Sequence, residues 1–350
     1  MDGLSRERAH NRGRLIRELL SAAVLGRVPH SVAASDLADL TPLLLRFGTG
    51  PLAWWAVRES PLAGDESALA LRDAYRSAAL RAAMAAAELE RVFEEVGGAG
   101  LDPIIGKGWS VARAYPGTAL RTYCDFDLYS RPRDHQRLLG VLARREPPCT
   151  YAVDAHQGLS YLDDRDLDRV FERSIQIPLG STQIRVFGSE DHLRLICLHA
   201  LAEGMTRPTW LCDIAWLVAT VPANFDWDYF SAGSRRRADW CFAAIRLAHE
   251  VLGVDVSRVP SGAVRRPLPG WFARSMLAAW GRGPRSRGSR MAMDRVARTP
   301  GAIVRALLDR WPHPIEATVG VGGRIGPLPR LPYEIAEAAR RTVGYLRRLR

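Results

Sequence analysis

Ile104-Ile105-Gly106-Lys107-Gly108-Trp109, followed by Asp125-Phe126-Asp127-Leu128, is the stretch on which the fold turns. An apolar run entering a Gly-Lys-Gly turn reads as a short buried strand over 101–105 that hands the chain to a helix over 109–115. Residues 123–129 read as the next strand. Period-two geometry then sends the Asp125 and Asp127 carboxylates to one face and packs Phe126 and Leu128 behind them. Lys107 carries a further signal, because it is the sole lysine among 49 Lys and Arg residues. Most surface positions accept either side chain. A lone lysine beside a glycine pair therefore marks a place that needs a compact, flexible ammonium rather than a planar fork.

Working outward, residues 5–99 read as helical throughout. Leu15, Ile16, Leu19, Leu20 and Ala23 keep the helical period, and 67–96 forms one long helix stopped by Gly97-Gly98-Ala99-Gly100. Downstream, a helix over 133–144 opens after Pro132. Strand-like alternation appears at 151–153, 159–162, 170–178 and 183–187, the last two joined as a hairpin through Leu179-Gly180-Ser181-Thr182. Ser189 with Glu190 and Asp191 caps a helix through 203, and helices run on to Leu252. The expected fold class is α+β, a mixed sheet flanked by N-terminal and C-terminal helical regions. Four segments follow: an N-terminal helical region (1–99), an α/β core (100–190), a helical region packing on it (191–255) and a basic C-terminal helical extension (256–350).

The chain has 350 residues, 47% of them hydrophobic and 25% charged, enough to bury a sizeable core. No window reaches the roughly 18 uninterrupted apolar residues of a membrane span. The N-terminus is polar, with no apolar leader, which predicts a cytoplasmic protein. Cys124, Cys149, Cys197, Cys212 and Cys241 lack C-x-x-C spacing and read as reduced thiols. The net charge of +11 concentrates in residues 281–350, where fifteen arginines face five acidic residues. Such a tail suits RNA, a phosphorylated partner or an anionic lipid surface, or is simply a solvated helical face. Few aromatics interleave with the arginines, so a stacking platform for single strands is not favoured.

Two carboxylates on one strand face repel unless a divalent cation lies between them, and Mg2+ suits that chemistry. The expected third carboxylate is Glu172, which shares a face with Ser174 and Gln176 if 170–178 is a strand beside Asp125 and Asp127. Asp154, Asp163 and Asp164 compete for the place in more loosely patterned stretches. His192 and His199, seven apart, read as core residues rather than metal ligands. Asp213, in an otherwise apolar helix, needs a partner if buried, with Arg194 and His199 as candidates.

Gly106-Lys107-Gly108, Tyr115-Pro116, Arg121 and Asp125-Phe126-Asp127-Leu128, at this spacing, resemble the uncharacterised nucleotidyltransferase family of the DNA polymerase β-like superfamily. Phe171-Glu172 stands where that family has an acidic residue on a strand. The segments bearing His199 and Asp213 resemble its His-bearing and Asp-bearing helices. The likeness spans about residues 100–230. It departs at Lys107-Gly108, where better-known superfamily members have Gly-Ser, and at Ser174, where the family usually has His. The resemblance implies a minimal nucleotidyltransferase sheet with one or two Mg2+ ions held by Asp125, Asp127 and Glu172. It implies an NTP, ATP first among them, bound by Gly106, Lys107, Gly108, Trp109 and Arg121, with Trp109 near the base. A nucleoside monophosphate would pass to a small-molecule or protein acceptor with release of pyrophosphate, and the Arg-rich composition associates with natural product biosynthesis. The rival reading is a non-catalytic binding module using its basic tail. Retention of Lys107 with both aspartates weighs against it.

Overall fold

A computed structural model describes residues 3–145, 150–284 and 310–348. The chain opens with helices α1 (Gly3–Leu25), α2 (Ala34–Phe47), α3 (Gly50–Val57) and α4 (Glu66–Gly98). Gly48, in the left-handed region at φ 72°, ends α2. Asp65 accepts a hydrogen bond from the Ser67 N–H and caps α4, the long helix read from the Ala/Leu/Glu-rich run.

The sheet region follows in the order β1 (Ile104–Gly106), α5 (Lys107–Ala112), β2 (Asp125–Ser130), α6 (His135–Ala143), β3 (Ala152–Gln157), α7 (Leu167–Arg173), β4 (Ile175–Leu179) and β5 (Thr182–Val186). Its strand order is β3-β2-β1-β5-β4. β2 runs antiparallel to β1 and parallel to β3, β1 runs parallel to β5, and β4 and β5 form an antiparallel hairpin. The fold is therefore α+β with a five-stranded mixed sheet. Leu179 pairs with Thr182 across the hairpin, and Gly180 supplies the positive φ of 56° that a two-residue turn of this kind needs.

Two strand expectations are corrected. Residues 170–173 close α7, because Asp166 caps that helix through the Arg169 N–H at 2.8 Å. Val170 and Phe171 are both buried, which a helix allows for adjacent residues and a two-faced strand does not. Leu159 and Leu162 are buried as well, but from a loop that packs against Tyr129 and Phe171.

One sheet face packs Ile105, Phe126, Leu128, Ile184 and Val186 against Leu89, Val92, Phe93 and Val96 of α4. The other carries Ile104, Tyr129 and Phe187 against the 159–162 loop and Leu195. By the alternation of β2, Asp125 and Asp127 share that second face with Tyr129. The chain then continues through α8 (Ser189–Ala202), α9 (Pro208–Ala219), α10 (Trp227–Ser231), α11 (Arg235–Leu252), α12 (Ser261–Val264) and α13 (Gly270–Arg282), and the described residues from 310 onward add α14 (Pro314–Gly320) and α15 (Leu331–Arg348).

Both ends of the chain share one helical core. Ile16, Leu19 and Leu20 of α1 cluster with Leu247 and Val251, and with Phe272, Met276, Trp280 and Ile315 from the segment after 256. α1 crosses α13 at two glycines. A Cβ on Gly13 would overlap the Leu277 carbonyl oxygen, and one on Gly281 the Ala9 carbonyl oxygen. The basic segment that starts at 281 begins inside α13, and residues 285–309, with the arginines from 285 to 305, lie outside the described residues. Among the described residues no helix is long and apolar enough to cross a membrane.

Candidate functional site

β1 delivers the chain into the glycine turn, with Gly106 paired to Asp127 across the antiparallel ladder. The glycines are there for space. A Cβ on Gly106 would sit 2.8 Å from the Phe187 ring and 3.0 Å from Tyr129, and one on Gly108 would sit 2.9 Å from Tyr123. Between them Lys107 adopts φ 47°, the left-handed region that non-glycine residues occupy only when the surroundings hold them there. Its ammonium donates to Asp127 Oδ1 at 2.6 Å.

The parallel pairing of β2 and β3 sets Asp154 beside Asp127 and His156 beside Tyr129, all on one face. His156 Nε2 lies 2.9 Å from Asp127 Oδ1 and 3.4 Å from Asp154 Oδ2. Its ring stacks on Tyr129 with centroids 4.7 Å apart. Asp127, Asp154 and His156 each offer a donor atom, all within 4.8 Å of one another.

The two aspartates of β2 are electrostatically unlike. Burial works against ionised Asp127, but the hydrogen bond from His156 and the Lys107 ammonium outweigh it, and its pKa falls below the ordinary carboxylate value. Burial first, and then the charge of Asp127, push the half-buried Asp125 the other way. Nearby, burial followed by the positive charge of Lys107 pushes His199 down to about 3, so its imidazole stays neutral. Tyr161 and Trp210 meet that ring edge-on, each with centroids 5.5 Å away. Tyr161 also has a left-handed backbone, φ 68°. His192 is a core residue stacked on Phe187, its pKa lowered by burial to about 4.

The residues expected from sequence are thus partly brought together. Gly106, Lys107, Gly108, Asp125 and Asp127 meet at one place. Glu172 does not join them: it stands exposed on the last turn of α7, and Asp154 occupies the strand position beside Asp127 instead. Asp154, one of the competing carboxylates, and His156 lie beyond the strand expected over 151–153. Continued to Gln157, the same alternation yields an Asp-x-His echo of Asp125-x-Asp127. Trp109, expected near a base, is only 8% exposed and packs with Leu89, Phe126 and Tyr151 behind the sheet. Arg121 is committed elsewhere. Its Nε and Nη2 grip Asp213 at 2.8 Å each, and Tyr115 donates to the same carboxylate at 2.6 Å. Arg121 thus partners Asp213, in place of the expected Arg194 or His199. Arg194 pairs with Asp164 at 2.6 Å.

A mixed sheet that sets strand carboxylates beside a glycine turn and its lysine, enclosed by helices, defines an α+β protein with a cluster of groups suited to a cation. The family model described as uncharacterised nucleotidyltransferase matches residues 33–253, well over half the chain, and the chain belongs to that family. The match reaches from just before α2 to the residue after α11, beyond the 100–230 stretch that carries the motifs. No curated protein and no solved structure matches the chain.

Proposed function

We propose that this protein is a metal-dependent nucleotidyltransferase that moves a nucleoside monophosphate from an NTP, ATP first among them, to a small-molecule or protein acceptor. The observation that carries the reading is Asp127 on β2, held ionised between Lys107 and His156, with Asp154 paired to it on β3. The donor set fits a divalent cation. Asp125, Asp127 and Asp154 bring three carboxylates to one face, and the Lys107 ammonium is bound to Asp127 there. A cation held there would supply charge neutralisation at the transferring phosphate.

The chain's own residues do the rest. Asp125, Asp127 and Asp154 would hold the cation, with Asp154 in the third place that the resemblance implied for Glu172. Lys107 faces the triphosphate as a point charge, its place set by the two glycines. Arg121 acts at one remove, tying the segment before β2 to α9 through Asp213. Mg2+ enters with the nucleotide, and the acceptor belongs to natural product biosynthesis. Nucleic acid is not favoured as acceptor.

Pyrophosphate release with each NTP and Mg2+ or Mn2+, across a panel of hydroxyl and amine acceptors, tests the reading. Asp127→Asn and Asp154→Asn should abolish release, and Glu172→Gln should leave it unchanged. NTP binding with no release across the whole panel would mean a binding module in place of an enzyme.

A further inference from the structure

The group beside Asp127 is not purely carboxylate. His156 brings a nitrogen into it, and its geometry suits a chelate. In an octahedral site with bonds of about 2.1 Å, neighbouring ligand atoms stand about 3 Å apart. His156 Nε2 meets Asp127 Oδ1 in a hydrogen bond at 2.9 Å and lies 3.4 Å from Asp154 Oδ2; in the tautomer with its proton on Nδ1, the Nε2 lone pair would stand beside the same two oxygens at close to that spacing. The imidazole is also aimed. Its ring lies at 23° to Tyr129, and the two residues are register partners in the parallel ladder, so the sheet itself turns Nε2 toward the carboxylates. Such a fixed ring loses little freedom on binding a metal. An ammonium already occupies the same Oδ1, so this oxygen is built to meet positive charge.

Ligand chemistry then decides which ion. Mg2+ takes oxygen ligands and keeps its waters, gaining little from an imidazole. First-row transition ions accept imidazole together with carboxylate. We propose that Asp127, Asp154 and His156 form a mixed nitrogen–oxygen site that favours first-row transition-metal dications over Mg2+, with Mn2+ as the spectroscopic probe of that class. This inference rests on the nucleotidyltransferase reading for the use of the site, and on His156 alone for its preference.

The test uses the full-length, untagged protein and Mn2+ alone, followed by electron paramagnetic resonance. Bound Mn2+ should show nitrogen hyperfine coupling in pulsed spectra, and the coupling pattern should change in protein made with isotopically labelled histidine. His156→Gln and His156→Ala should abolish the coupling and weaken Mn2+ about tenfold or more, while Mg2+, measured by competition, changes little. Labelled wild-type protein answers the question even if a variant fails to fold. Absence of nitrogen coupling in the wild type, coupling that survives both variants, or equal affinity for Mn2+ and Mg2+ would overturn the proposal. Mn2+ without nitrogen coupling but with Mg2+-supported pyrophosphate release would end this inference and leave the enzyme reading standing. Nitrogen coupling without pyrophosphate release would do the reverse.

Discussion

Replacing Lys107 by alanine and, separately, by glycine pulls apart the two things this residue does. Its ammonium donates to Asp127 at 2.6 Å with both side chains largely shielded, 15% and 7% exposed. Removing such a charge-assisted bond from a buried carboxylate costs roughly 2 kcal/mol, and Lys107→Ala should lose about that much stability. The backbone works in the opposite direction. At φ 47° a residue with a Cβ is strained by about 1 kcal/mol, which glycine avoids. Lys107→Gly should therefore be more stable than Lys107→Ala by roughly 0.5–1 kcal/mol. That sign is diagnostic, because glycine is normally the less stable of the two in a helix. Both variants should lose turnover equally, by roughly 2–4 kcal/mol of transition-state stabilisation if the ammonium meets developing phosphate charge. Lys107→Arg keeps the charge but should still lose turnover, since a planar fork on a longer stem does not fit between the two glycines. Urea denaturation reads the stabilities, and steady-state pyrophosphate release reads the rates. A glycine variant less stable than the alanine variant would refute the strained turn. Wild-type kcat/KM in Lys107→Arg would refute the need for an ammonium.

Asp213→Asn should destabilise by roughly 3–5 kcal/mol, seen as a large fall in Tm, because it strands the Arg121 guanidinium without a counter-charge. A small fall would mean that water reaches Arg121. Gly281→Ala should cost roughly 1–3 kcal/mol by forcing α13 away from the Ala9 carbonyl oxygen; an unchanged Tm would show that the helices can slide apart freely. His199 sets an acid dependence. Its pKa is pushed down to about 3 in the folded chain, so the unfolded chain takes up a proton first as pH falls below the ordinary 6.5. Its contribution is fully present above that value and declines toward pH 3, a loss of roughly 3 kcal/mol by pH 4. Urea midpoints of His199→Gln should therefore fall less steeply with acid than those of the wild type. Parallel profiles would mean that the imidazole is not kept neutral by burial.

The features legible in the sequence are those whose information is local. The long α4, the Gly180-Ser181 hairpin turn and the shared face of Asp125 and Asp127 each follow from a few adjacent residues and a fixed period. Lys107 stood out for a compositional reason of the same kind, its identity against an arginine background. Whatever depended on which strand lies beside which was hidden. Glu172 and Asp154 were both eligible partners for Asp127, and only the parallel pairing of β2 with β3 chose between them. Helix α7 took Glu172 away because Asp166 supplied a cap, a small local difference that changed which face the residue met. Arg121 grips Asp213 from 92 positions away, and Gly13 meets Leu277 near the far end of the chain. Such contacts follow from how helices and strands fill space together, because packing is non-directional and any apolar stripe of similar length satisfies it equally well. Local chemistry named the groups able to hold a cation or a phosphate. Tertiary packing decided which of them stand within reach of one another, because a donor's partner is set by distance in space and not by spacing along the chain.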